Sequence, residues 1–332
     1  MMNSKFELDP QLNNLLQQIT AACQPYWKFR DNHIHIPEST RFAKMLLAAY
    51  PQADPEIVLP AILLHDNGYA NVPPDTLFSG LKDAPIGFAA DITPLHEIEG
   101  AKIAREILTS LDFSPAKTNQ VCEIIDGHDS RNESLSLEDS LVKDADKLWR
   151  YTVIAAEVAG RGWMKLSHEK FNAYVSTRID QWMFTEAAKE IARATTADTQ
   201  SQLRHPPEGT AFMLIKDGKL LVEKRRADKK LLPNAISIPG GHNDPGESAE
   251  ETLVRELEEE LGLKADSYKF VCTLMHFDRE VRKLHYFAVE SWSGEMVMEE
   301  AAELHWIDLD DLDALDIEVD RIAVLEFKRI YQ

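Results

Sequence analysis

Apolar residues recur at helical spacing through the first part of the chain. Phe42, Met45, Leu46 and Ala49 follow a three-to-four-residue period, Ile103, Ile107 and Leu111 repeat every four residues, and Val142, Ala145 and Leu148 every three. Strand-like alternation is scarce there. The longest apolar run, Ile57 to Leu64, is eight residues with Pro60 inside it. A membrane span needs roughly 20, so this run reads as a buried element. From about residue 195 the chain turns polar, Thr-Thr-Ala-Asp-Thr-Gln-Ser-Gln-Leu-Arg-His-Pro-Pro, loses the helical period and meets two prolines that stop any helix. Beyond it the pattern changes. Thr210–Ile215 and Leu220–Glu223 read as strands joined at Asp217-Gly218, a hairpin signal. Tyr268–Met275, Leu284–Glu290 and Leu304–Ile307 also read as strands, with one strong helix over 248–261 and another from about Val319. The expectation is an all-α domain over 1–195, a linker over 196–207 and an α+β domain over 208–332. No internal repeat or low-complexity tract is visible.

The length, 332 residues, suits two domains, and at 44% hydrophobic each can bury a core. The formal net charge is −20. That balance argues against a long nucleic acid as partner, since a backbone binder carries a basic face. The only basic cluster, Lys224, Arg225, Arg226, Lys229 and Lys230, is short and reads as local phosphate steering. Three widely spaced cysteines, Cys23, Cys122 and Cys272, exclude a disulfide scaffold and a cysteine-based zinc site. The first residues carry Lys5, Glu7 and Asp9 without an apolar core, unlike a signal peptide. A soluble cytoplasmic protein with no membrane partner is expected.

The stretch Gly241 to Leu263 carries the clearest chemistry. Ser248 with Glu251 three residues on is a capping box that opens a helix, and Gly262 is a natural stop. Ala249, Leu253, Leu257 and Leu261 make the buried stripe. Glu259 and Glu260 follow Glu256 by three and four positions, so three carboxylates crowd one neighbouring face. Like charges at those spacings repel, and a divalent cation of the Mg²⁺ or Mn²⁺ type resolves the conflict. Pro239, Gly240 and Gly241 precede them, with glycines that let backbone approach a metal or phosphate.

These residues resemble the Nudix signature, G-x5-E-x7-R-E-U-x-E-E-x-G-U. Gly241, Glu247, Arg255, Glu256, Leu257, Glu259, Glu260, Gly262 and Leu263 meet all nine specified positions over 23 residues. The resemblance implies a sandwich of mixed sheet between helices and cleavage of a pyrophosphate bond in a nucleoside diphosphate derivative or triphosphate. It implies Glu259 and Glu260 as metal ligands, Glu256 as ligand or base, and Glu247 and Arg255 orienting loop and helix, with Mg²⁺ or Mn²⁺ activating the attacking water. Glu303, just before Trp306, is a second candidate for the base. The proline offset typical of ADP-ribose-cleaving members is missing. The segments Glu290–Glu295 and Glu303–Ile307 look most like small Nudix enzymes acting on nucleoside triphosphates, including oxidised ones. Trp292 or Trp306 could stack on a base, although core packing is the commoner role.

The helical half spaces out a second set: His35, the pair His65-Asp66, His96, His128 and Asp146. Asp66 ends the apolar run, and a buried His-Asp pair needs partners to offset its desolvation. Imidazole with carboxylate suits Mn, Fe, Zn or Ni ions. Leu63-Leu64-His65-Asp66-Asn67-Gly68-Tyr69, His96-Glu-Ile-Glu-Gly100-Ala, His128 and Val142–Leu148 resemble the HD superfamily of metal-dependent phosphohydrolases, over roughly residues 20–185. The resemblance implies a helical bundle, metal held by the His-Asp pair, Asp66 in the catalytic centre, and a second metal at His96 and His128. His33 competes with His35; His35 is preferred because Phe42, Ala43 and Leu46 then fall where the next helix packs. Asp144 competes with Asp146, preferred as two residues before Leu148 and off the buried stripe. The combined reading is a bifunctional phosphohydrolase for small nucleotides. A nucleotide-sensing regulator with one degenerate domain and a diiron oxygenase fused to a Nudix domain are the alternatives. Both families often dimerise, which leaves a homodimer open.

Overall fold

In a computed structural model, residues 6–73, 93–229 and 232–332 are described, and the chain divides into two compact units, residues 1–200 and 201–332. The first is helical: α1 (Pro10–Cys23), α2 (Asn32–Ala49), α3 (Pro55–Leu64), α4 (Thr93–Ser110), α5 (Pro115–Ile125), α6 (Leu137–Leu148), α7 (Val153–Ala155), α8 (His168–Ser176), α9 (Ile179–Trp182) and α10 (Glu186–Arg204). Proline opens α1, α3 and α5, where its missing N–H costs nothing. Asp9 and Asp54 cap the first two of these with side-chain oxygens. Every residue of the apolar run Ile57–Leu64 is buried, so α3 is the central helix, packed against α1, α2, α4, α5 and α6.

The polar stretch expected as a linker is helical as far as Arg204, leaving only His205–Pro207 outside the helix ahead of the first strand. Two of its threonines face inward with their hydroxyls satisfied. Thr196 Oγ1 donates to Ala192 O at 2.7 Å and Thr199 Oγ1 to Tyr151 O at 2.8 Å. Composition alone does not reveal that such groups can be buried at little cost once bonded.

The second unit holds β1 (Glu208–Lys216), β2 (Lys219–Lys224), β3 (Ile236–Ser237), β4 (Gly240–His242), β5 (Lys264–Phe277), β6 (Val281–Ser293) and β7 (Glu303–Asp308), with helices α11 (Ala249–Leu261) and α12 (Glu318–Tyr331). Asp217 and Gly218 both take positive φ, 52° and 73°, which makes the β1–β2 turn of the primed hairpin type. The sheet runs β3-β2-β1-β6-β5, with β4 on β1 and β7 on β2; β1 and β6 are parallel and the other pairs antiparallel. Alternate residues of β1 feed two cores. Ala211 and Met213 pack with Ala323, Val324 and Phe327 of α12, while Phe212 and Leu214 pack with Leu253, Leu257 and Leu261 of α11. The result is a mixed sheet between helices, each buried leucine contributing about 1.5–3 kcal/mol. No helix among the described residues is long and apolar enough to cross a membrane.

Candidate functional site

In the second unit the capping box starts α11 as its residues dictate. Ser248 Oγ accepts from Glu251 N at 3.2 Å, and Glu251 Oε2 accepts from Ser248 N at 2.8 Å. Gly262, at φ 66°, ends it. The leucine stripe turns inward, which leaves Arg255, Glu256, Glu259 and Glu260 on the remaining faces. Arg255 organises the loop before the helix. Its Nε and Nη2 donate to the two oxygens of Glu247 at 2.9 and 2.8 Å, and its Nη2 reaches His242 O at 2.8 Å. Its Nη1 donates to Glu256 at 2.7 Å and Glu259 at 3.0 Å. The Arg255 guanidinium is the main reason the Glu247 carboxyl is held down at about 2.

A cavity of about 740 Å³ opens over this arrangement, a volume that fits a small ligand. It shows Gly240, Gly241, Arg255, Glu256 and Glu260, together with Glu223, Glu300, Asp320, Arg225, Lys229 and Arg282. Burial pushes the Glu260 carboxyl up to about 8, helped by the charges of Glu223, Glu256 and Glu300. Burial likewise lifts Glu256, against the pull of Arg255, and lifts Glu223. No donor among the described residues bonds the Glu260 carboxyl. This crowd of acids with a strained charge is the donor set that a hard divalent cation fits. Lys229 pairs with Glu300 at 2.7 Å and Arg225 with Glu223 at 3.3 Å. At the cavity floor Asp320 accepts from Tyr286 Oη at 2.7 Å and Ile238 N at 2.9 Å, and burial pushes it up to about 6.

Glu247 stands behind Arg255, and Glu259 is exposed outside the cavity lining. Glu303 does not reach the cavity. It opens β7, opposite Lys224 in the register, and pairs on the surface with Lys224 at 2.9 Å and His305 at 3.0 Å. Glu300, three residues earlier, lines the cavity instead. Trp292 and Trp306 stack on each other with ring centroids 6.3 Å apart, and neither lines the cavity. Trp292 packs against the core under α11. Glu223, Glu300 and Asp320 lie on strand, loop and helix far from the box in sequence, where no local spacing could flag them.

In the first unit His35 (α2), His65 and Asp66 (after α3), His96 (α4), His128 (after α5) and Asp146 (α6) converge. His33 is exposed, whereas His35, two residues on, is buried. His35 Nε2 lies 2.9 Å from His65 Nε2, 3.4 Å from Asp66 and 3.2 Å from Asp146. Asp66 Oδ1 lies 3.6 Å from His96 Nε2 and 3.4 Å from His128 Nε2. Two groups of donor atoms thus share Asp66: His35, His65 and Asp66, and Asp66, His96 and His128. His65 Nδ1 meets Ile62 O at 2.8 Å and His128 Nδ1 meets Ile125 O at 2.9 Å. A carbonyl only accepts, so both Nδ1 atoms carry the proton and both Nε2 atoms face the cluster, the orientation metal-binding imidazoles take. Burial would lift the two carboxyls, but the histidines around Asp66 and Arg150 beside Asp146 hold them well below the usual range. Burial would depress His128, yet Asp66 and Asp129 push it up to about 10. The residues fit one or two transition-metal ions.

Asp144 is also buried, so a buried-stripe criterion does not separate it from Asp146; direction does. Its carboxylate accepts from Phe184 N at 2.7 Å, Thr185 N at 3.0 Å and Thr185 Oγ1 at 2.7 Å, which ties down the start of α10. A small cavity of about 20 Å³ beside the cluster is lined by Arg30, Tyr69, Asp129, Trp149, Arg150 and Trp163 as well as three of the expected residues. The Tyr69 ring stacks on His96 at 4.1 Å, and Arg30 lies 4.4 Å over Tyr69. None of these was singled out in the sequence. Asp129 had a signal, because His128-Asp129 repeats the His65-Asp66 dipeptide.

The family model of the HD domain matches residues 33–151 and that of the NUDIX domain residues 206–326. Several curated proteins are similar over about a third of the chain. An 8-oxo-dGTP diphosphatase of Buchnera aphidicola subsp. Schizaphis graminum is 34% identical over 100 residues, 30% of this chain and 75% of that protein. A CTP pyrophosphohydrolase of Escherichia coli is 33% identical over 103 residues, 30% of this chain and 73% of that one. An ADP-ribose pyrophosphatase of Methanocaldococcus jannaschii is 29% identical over 123 residues, 36% of this chain and 71% of that protein. With Gly241, Arg255, Glu256 and Glu260 of the signature lining one cavity and relatives of this kind, the chain is an enzyme of the Nudix hydrolase family that carries an HD domain ahead of its Nudix domain.

Proposed function

We propose that this chain is a bifunctional nucleotide phosphohydrolase. The Nudix domain cleaves the pyrophosphate bond of a nucleoside triphosphate, or of a nucleoside diphosphate linked to another group, with Mg²⁺ or Mn²⁺. The HD domain hydrolyses a phosphomonoester or phosphodiester with one or two transition-metal ions. The observation that carries the first half is a cavity walled by acids, Glu256, Glu260, Glu223 and Glu300, and by cations, Arg225, Lys229 and Arg282, two of which are paired with those acids.

That wall suits an exchange of partners. The acids now paired with Arg225 and Lys229 turn to a divalent cation, and the freed cations turn to phosphate oxygens. Glu256, Glu260, Glu223 and Glu300 would hold the cation, which would supply charge neutralisation at the diphosphate. Arg255 keeps Glu256 and Glu247 in register, and Glu256, half-buried and raised, is placed to take a proton from the attacking water. Water adds to one phosphorus, the bridging P–O bond breaks, and a nucleoside monophosphate leaves. The relatives' names, 8-oxo-dGTP diphosphatase and CTP pyrophosphohydrolase, support a triphosphate substrate. For the second half, the support is the convergence of four histidines and two aspartates from five separate chain segments on one buried cluster.

The test is a panel of nucleoside triphosphates and diphosphate-linked nucleotides, followed by the monophosphates released. Wild type with Mg²⁺ is expected to give a nucleoside monophosphate, and Glu260→Gln to abolish it. With Mn²⁺ the monophosphate is expected to lose phosphate, and Asp66→Asn to stop only that step. Cleavage untouched by Glu260→Gln sinks the Nudix assignment. Oxygen consumption with bound iron, in place of phosphate release, sinks the HD one.

A further inference from the structure

We infer that Asp129 is the fourth protein donor of a second metal centre in the HD domain, which makes the two centres alike in donor set. The inference rests on reading the HD cluster as a metal centre and extends it to a residue outside the expected ligands. Asp129 Oδ2 lies 3.8 Å from His96 Nε2 and 3.9 Å from His128 Nε2, and those nitrogens are 3.4 Å apart. Two donors bonded to one ion at about 2.1 Å each can stand at most about 4.2 Å apart, so all three atoms are within reach of a common ion.

The side chain is only 6% exposed. Apart from the two histidines, nothing among the described residues bonds its carboxylate. His128 Nδ1 donates to Ile125 O, which leaves Nε2 as the ring nitrogen facing Asp66 and Asp129. An ion among His96 Nε2, His128 Nε2 and Asp129 Oδ2 would meet all three at once. The backbone is fixed for this role. Glu97, buried next to His96 in the chain, accepts from Asp129 N at 2.7 Å, Ser130 N at 2.8 Å and Ser130 Oγ at 2.6 Å. The same loop therefore cannot drift away from His96.

The first centre then comprises His35, His65, Asp146 and the shared Asp66. The second comprises His96, His128, Asp129 and the same Asp66, whose Oδ2 lies 3.4 Å from His35 and whose Oδ1 lies 3.6, 3.6 and 3.4 Å from His65, His96 and His128. Two imidazoles and two carboxylates at each position give both ions the same charge environment, so one kind of divalent ion fills both.

The full-length protein is dialysed against Mn²⁺ in excess Mg²⁺, which occupies the all-carboxylate Nudix site but competes poorly for imidazole. Metal per chain is then measured for wild type and Asp129→Asn, an isosteric change. Wild type is expected to hold about two Mn²⁺, with an exchange-coupled paramagnetic resonance signal, and the variant about one, with an isolated-ion signal. Two ions in the variant at unchanged affinity overturn the inference. One ion in both proteins overturns it while the HD metal reading stands, and none in the wild type overturns both. Should Asp129→Asn not fold, anomalous scattering from wild-type crystals decides: an ion about 2.2 Å from Asp129 Oδ2 supports the assignment and an ion bonded only to Asp66, His96 and His128 refutes it.

Discussion

Replacing Gly241 with alanine separates the geometry of the Nudix site from the stability of its fold. A Cβ at this position would stand 1.9 Å from Glu256 Cδ and 2.0 and 2.2 Å from its oxygens. Ordinary contact is about 3.5 Å, so the carboxylate must retreat by about 1.5 Å. Gly241 has no positive φ, and the obstacle is the free end of a flexible side chain, so the backbone accepts the methyl group. The displaced glutamate gives up the 2.7 Å bond to Arg255 Nη1, about 1 kcal/mol at a half-buried site. The alanine restricts the unfolded chain and returns about 0.4–1 kcal/mol. Net stability therefore changes by less than about 1 kcal/mol. Catalysis does not escape so lightly, since a reacting group displaced by more than an ångström costs about 10²-fold or more, about 2.7 kcal/mol of barrier. Gly240→Ala is the contrast. There the added atom meets backbone, Thr210 O at 2.3 Å and Ala211 Cα at 2.6 Å, so β4 must part from β1 at a cost of about 1–3 kcal/mol. Calorimetric melting beside kcat/KM for nucleoside monophosphate release checks both. A Gly241→Ala enzyme with wild-type kcat/KM, or one that melts as early as Gly240→Ala, refutes the reasoning.

Because Glu260 is held protonated up to about 8, Mg²⁺ must displace a proton there, and its apparent affinity should strengthen about tenfold per pH unit from 6 toward 8, then level off; titration calorimetry showing a flat profile counts against this. Asp144→Ala strands two buried N–H groups at the start of α10 and should cost about 2–3 kcal/mol in denaturant unfolding with metal binding retained, while Asp146→Asn should lose metal first; the opposite pattern reverses the roles assigned here. Arg255→Lys replaces a planar fork that spans Glu247, Glu256, Glu259 and His242 with a point charge, so kcat/KM should fall about 10–100-fold at nearly constant melting temperature, and a drop within twofold would show that charge alone suffices.

Much of this protein is local and therefore readable in its residue order. The capping box of Ser248 and Glu251, the αL stop at Gly262, the Asp217-Gly218 turn and the two periodicities each depend on neighbours within a few positions, and the structure forms them at those residues. The same holds for the Nudix signature, whose Arg255 bonds the neighbouring Glu256 and, eight residues back across the helix start, Glu247. Polar composition misled at 196–204, because a threonine's cost of burial depends on a carbonyl that another helix supplies, Tyr151 O for Thr199. Asp144 and Asp146 could not be told apart for a related reason: α6 is buried on both sides, and which side faces histidines is a property of helix packing. Register and packing also decided that Glu300 rather than Glu303 reaches the cavity and that Glu223 and Asp320 join it. Those groups come from strands, loops and helices far apart in the chain. Their pairing is set by which faces bury apolar surface against which, and sequence distance carries no record of that.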